Sequence, residues 1–141
     1  MPIDPNNPVV LLCVAGMERD GVPDEARRLF QQAWDARRDD YEAAIAAHYL
    51  ARHQATPADT FRWNELAVTH AERVTDGRVT GMFPSLYLNL ANSQIALLRF
   101  EEARATIARA REQLATLPSD GYREFLSHGI ERLQARIGQP T

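Results

Sequence analysis

Apolar residues recur at three- and four-residue steps along nearly the whole chain, the spacing that lines one face of an α-helix. Proline, glycine and capping residues interrupt these stripes and divide them into about seven predicted helices. The first begins at Asn7-Pro8, a cap followed by a residue preset for the first turn, and runs to about Asp20, where Gly21 stops it. Pro23-Asp24-Glu25 opens the second, with acids at its positive end and a stripe of Ala26, Leu29, Phe30, Ala33 and Trp34. Asp39-x-x-Glu42 has the form of a capping box and starts the third, which carries Tyr41, Ala44, Ile45, Ala47, His48 and Ala51. Thr56-Pro57-x-Asp59 starts the fourth, with Phe61, Trp63, Leu66, Ala67, His70 and Val74. After a break at 76–84, which holds two glycines and a proline, the fifth helix is expected from Ser85 to Leu98 and the sixth from Glu101 to Leu117. Ser119-Asp120 caps the seventh, whose apolar positions are Tyr122, Phe125, Leu126, Ile130, Leu133 and Ile137 and which Gly138 and Pro140 end. Residues 1–6 are expected to form an extended tail, and no run alternates as a strand would, so the expected class is all-α.

The stripes also repeat. Val10, Cys13, Val14, Met17, Ala26, Phe30 and Ala33 return at the same spacing as Tyr87, Leu90, Ala91, Gln94, Ala103, Ile107 and Ala110, 77 residues later. Two helix-pair periods of about 34 residues leave an excess of about nine. A stretch of that length is the 76–84 break. The pattern therefore predicts three helix pairs, at about 7–40, 41–74 and 84–117, with one inserted loop, all within a single domain spanning 1–141. The helix at 119–137 has one apolar face and an opposite face with Arg123, Glu124, Glu131 and Arg132, as a terminal capping helix needs.

In these spacings the chain resembles tetratricopeptide repeat proteins. The match is clearest over 86–114, with a large residue at Tyr87, Leu90, a small residue at Ala91, an aromatic at Phe100, and alanines at Ala103 and Ala110. Val14 departs from the pattern in the first pair, and His48 and Asn64 depart in the middle one. The resemblance implies a short right-handed α-solenoid of antiparallel helices whose first, third and fifth helices line a concave groove. On the third helix, Glu42, Ile45, Tyr49 and Arg52 share a face, flanked by His53; on the fifth, Ser85, Leu88, Asn92 and Ile95 do, with Asn89 at the edge. The groove residues so implied are Tyr49, Arg52, His53, Asn89 and Asn92. Asn92 matches one position of a clamp that some family members use on a peptide's terminal carboxylate. The clamp's lysines are absent, so binding of that kind is not expected.

Composition narrows the classes. A chain of 141 residues with 45% hydrophobic and 25% charged residues can fold around its own core without metal or disulfides. Net charge is −3, and all 16 basic residues are arginine, as a GC-rich genome produces; this balance disfavours nucleic acid. The lone Cys13 falls at an apolar helix position and reads as core. The short apolar run at 9–14 lacks a basic flank, and nothing approaches a membrane span, so a cytoplasmic protein with no membrane partner is expected.

Chemistry-bearing motifs are scarce. No HExxH, CxxC pair, GxSxG or phosphate-binding glycine loop occurs, so no catalytic residue, metal or cofactor is assigned. His48 and His53 are five apart, a poor spacing for one metal on one helix face, and Asp39-Asp40 and Glu101-Glu102 sit at helix starts. Three functions stay open. The leading one is a non-enzymatic interaction module that binds a peptide segment or partner helix of another protein. The alternative is a small-molecule binder or small enzyme with a polar pocket of His48, Tyr49, Arg52, His53 and Asn92. The third is a homodimer that buries its own groove. In the inserted loop, Met82 and Phe83 are expected to tuck back onto the domain, or else to form a lid or a subunit contact.

Overall fold

The computed structural model describes residues 6–138; of the expected tail it includes Asn6 alone, and Pro140 lies outside the described residues. Among the described residues the chain forms seven α-helices and no strand: α1 (Pro8–Glu18), α2 (Pro23–Asp35), α3 (Asp40–Leu50), α4 (Pro57–Glu72), α5 (Phe83–Ala96), α6 (Phe100–Leu114) and α7 (Gly121–Ile137). Short 3-10 turns follow α3 at Ala51–His53 and precede α5 at Thr80–Met82. No helix among these residues is long and apolar enough to cross a membrane.

The starts follow the capping chemistry. Asn7 accepts hydrogen bonds from the amides of Val9 and Val10, Thr56 from Asp59, and Asp120 from Arg123. The Asp39–Glu42 box is half formed. Asp39 accepts from the Glu42 amide, but the Glu42 carboxylate accepts from the Arg38 amide at 2.9 Å, not from that of Asp39. The same carboxylate accepts from Arg38 Nε and Nη2 at 3.2 and 2.7 Å and from Asn7 Nδ2 at 3.0 Å. Arg38 holds the Glu42 pKa below the usual carboxylate range, against the opposing effect of burial. Glu42 is therefore a buried tie between the cap of α1 and the start of α3, not the groove-lining residue that its spacing predicts.

Contacts divide the chain after Val79 into two compact units. In the first, α1 packs on α2 and α3, α2 on α3, and α3 on α4. Alanines at 43, 44, 46 and 47 leave α3 buried along its length, and Phe30 fills the space between helices. Its ring stacks on Tyr49 with centroids 5.2 Å apart and meets His53 at 5.4 Å. Trp34 and Trp63 meet edge to face at 4.9 Å, and His70 Nδ1 lies 2.8 Å from Asp40 Oδ1. Cys13 is 1% exposed, and burial pushes its thiol up to about 12, so the thiolate needed for reaction is scarce at neutral pH.

In the second unit, α5 packs on α6 and α7, and α6 on α7. Leu86, Ile107, Leu126 and Ile130 are fully buried. Of the apolar positions expected on α7, Tyr122 and Phe125 face solvent, at 46% and 65% exposure. Leu126, Ile130 and Leu133 are buried as expected, and Gly129 joins them. In the 76–84 segment Met82 is buried as expected, while Phe83 already begins α5 and stacks on Tyr87 at 5.6 Å.

The α5–α6 turn carries local strain. Where Leu98 is expected to close the helix, α5 ends at Ala96, and Leu98 adopts a left-handed φ of 61° with its side chain 74% exposed. Glycine ordinarily takes this position because it has no Cβ to clash with the carbonyl. Leu98→Gly is expected to stabilise the second unit by about 1 kcal/mol. A rise in the thermal midpoint by circular dichroism checks this; a fall would show that the leucine side chain contributes more than the strain costs.

Candidate functional site

The residues expected to form the groove fall into two sets. In the first unit, α3 ends at Leu50, so Arg52 and His53 sit on the 3-10 turn and not on a continuous helix face. Arg52 Nη2 pairs with Asp20 Oδ2 at 3.3 Å, and His53 Nε2 lies 3.6 Å from Asp20 Oδ1. Asp20 belongs to the turn after α1, so this cluster draws the 3-10 turn onto the α1–α2 corner. Tyr49 is 8% exposed beneath Phe30 and offers no open surface; Ile45 on the same face is likewise buried.

The histidines do not converge. His48 meets the edge of Tyr49 at 4.9 Å, Tyr49 stacks on Phe30, and Phe30 meets His53. Ring contacts thus connect the two imidazoles through Tyr49 and Phe30. Burial lowers the His48 pKa to about 4, with the Arg52 charge acting in the same direction, so the ring is neutral at pH 7. Among the described residues, no group of three histidine, cysteine, aspartate or glutamate side chains is placed to hold a metal ion.

The second unit holds the more open arrangement. Asn89 and Asn92 of α5 line a cleft of about 290 Å³ together with Leu88 and, from α7, Gly129, Arg132, Leu133 and Arg136. Gly129 sets how near the two helices come. A methyl group there would lie 3.0 Å from Leu88 Cδ2 and 3.7 Å from Arg132 Nη2. The floor is apolar, from Leu88 and Leu133, and the rim is amide and guanidinium. Arg136 Nη1 donates to Asn92 Oδ1 at 2.7 Å. Because arginine only donates, this bond orients the amide and leaves the Asn92 NH2 as a donor. A neighbouring cleft on α6 and α7, of about 270 Å³, carries both Arg111 and Glu131, so its charges offset.

Asn89 and Asn92 were legible as surface residues of the fifth helix. Arg132 and Arg136 were not singled out. Arg132 reads as part of the solvated face of a capping helix, and the bond that ties Arg136 to the site crosses 44 positions of sequence. The available signal was two arginines one helical turn apart beside a glycine inside a helix.

The chain matches no family of known proteins, no curated protein and no solved structure.

Proposed function

We propose that this chain is a non-enzymatic interaction module that receives a peptide segment of another protein, and that the α5–α7 cleft is the receiving surface. The observation that carries the reading is the cleft's make-up: an apolar floor for a side chain, with amides and guanidinium groups at the rim for a backbone or an anion. Tetratricopeptide-like stacking remains part of the proposal, supported by the helix-pair spacing and the small residues Ala91, Ala103 and Ala110, all buried. A cytoplasmic setting is proposed with it, supported by a single cysteine that is free and buried. Of the groove set, Asn89 and Asn92 carry the binding role, while Tyr49, Arg52 and His53 hold the first unit together.

A photo-crosslinking residue at Leu88 tests this, with the same residue at the exposed Glu112 of α6 as control. In native extract, the Leu88 position is expected to yield adducts that map to one contiguous peptide segment, and Glu112 is not. Asn92→Trp, which fills the cleft from an exposed helix position, should abolish the adduct while leaving the helical spectrum unchanged. Equal adducts from both positions, or none from Leu88, would overturn the reading.

A further inference from the structure

Several arginines of the chain have a carboxylate neighbour: Arg19 pairs with Glu25, Arg38 with Glu42, Arg52 with Asp20, Arg62 with Asp59, Arg73 with Asp40, Arg78 with Asp76, Arg99 with Glu102 and Arg104 with Glu101. Arg132 and Arg136 pair with no carboxylate among the described residues, and both line the same cleft. Arg136 is instead held by Asn92, which fixes its guanidinium against α5 without neutralising it. The orientation this bond imposes on Asn92 leaves its amide NH2 as a donor. The cleft therefore presents two uncompensated positive charges and a donor amide over an apolar floor.

Resting on the peptide-binding reading above, we propose that the α5–α7 cleft selects an acidic segment, held through glutamate or aspartate side-chain carboxylates by Arg132 and Arg136. Guanidinium forks match planar carboxylates and take them two bonds at a time. The spacing favours side chains over a single chain end. Four residues along α7 separate the two arginines by a rise of about 6 Å. Same-side residues of an extended peptide are about 7 Å apart. Two acids at alternate positions thus meet both arginines at once, and the side chain between them is free to contact Leu88 or Leu133. A single terminal carboxylate uses only one fork.

Titration of the full chain, followed by amide resonances, tests the inference with four probes. These are an end-blocked peptide of alternating leucine and glutamate, its glutamine counterpart, that counterpart with a free C-terminus, and inorganic phosphate. The expected result is saturable shifts at residues 88–92 and 129–136 with the glutamate peptide, and at least ten-fold weaker binding of both glutamine peptides. Arg132→Gln should weaken the glutamate peptide about ten-fold while leaving the Arg136–Asn92 bond and the helical spectrum in place. Raising salt should weaken it further, since exposed charges are screened. Equal binding of the glutamate and glutamine peptides overturns the proposal, as does preference for the free C-terminus, binding of phosphate alone, or an unchanged Arg132→Gln variant. Failure here beside a specific Leu88 crosslink leaves peptide binding standing and removes only its acidic selectivity. A bound glutamate peptide with no protein crosslink removes the peptide-partner reading and leaves a carboxylate site.

Discussion

Lowering the pH from 7 to 4 is expected to weaken the first unit by about 3 kcal/mol through His48 alone. The imidazole has an ordinary pKa near 6.5 in the unfolded chain, and burial, then Arg52, brings it to about 4 in the folded one. Between those values the unfolded chain binds a proton that the folded chain refuses. Stability from this group is thus complete above about pH 6.5 and is lost as the pH falls toward 4. Glu42 acts in a separate window. Its folded pKa lies below the ordinary value, so its contribution holds above the unfolded pKa of about 4.3 and fades only below it. Urea midpoints from pH 7 to pH 4.5 therefore leave the Glu42 contribution out. Both tryptophans, Trp34 and Trp63, lie in the first unit, so their fluorescence follows its unfolding. His70 meets Trp34 at 5.9 Å, so the midpoint and not the intensity is the quantity to read. His48→Gln is expected to flatten the pH slope. A slope unchanged by that substitution would assign the acid sensitivity elsewhere.

The second large effect centres on Phe30. Phe30→Ala is expected to cost about 3–5 kcal/mol, because the ring is fully buried and its loss leaves a void between Tyr49, His53 and α1. The packing on the α1 side is tight enough to reverse a helix propensity. In an open helix, replacing glycine by alanine stabilises by about 1 kcal/mol. At Gly16 a methyl group would lie 2.4 Å from Phe30 Cε1, so Gly16→Ala is expected to destabilise by about 1–3 kcal/mol. The two positions should couple. Gly16→Ala combined with Phe30→Leu is expected to cost less than the sum of the single changes, because the smaller side chain vacates the space the methyl enters. Urea unfolding of the two single variants and the double variant measures this. Strict additivity would show that α1 shifts to relieve the clash.

Much of the helical framework was readable in advance for a local reason. Asn7, Thr56 and Asp120 cap helices through bonds to amides two or three residues away, and proline and glycine act on their own backbone. Burial of Ala26, Phe30, Ala103 and Ile107 follows from helical spacing, which is also local. Errors gathered where two helices compete for one side chain. Glu42, Ile45 and Tyr49 share a helix face with Arg52 in sequence, yet neighbouring elements bury the first three and a 3-10 turn carries the fourth. Phe125 falls near an apolar stripe, but α7 packs with Leu126 and Gly129 inward.

The candidate site divides in the same way. Sequence alone determined that the chain is all-α, where most of its helices begin, and that Asn92, with Asn89 at the edge, falls on one face of the fifth helix. Tertiary structure alone decided that Arg132 and Arg136 stand opposite them and that Phe30 stacks on Tyr49 and meets His53. The physical reason is range. Caps and helical faces depend on residues within one or two turns, whereas a cleft depends on how closely two helices approach. Here Gly129 set against Leu88 governs that approach, a contact across 41 positions that no local pattern records.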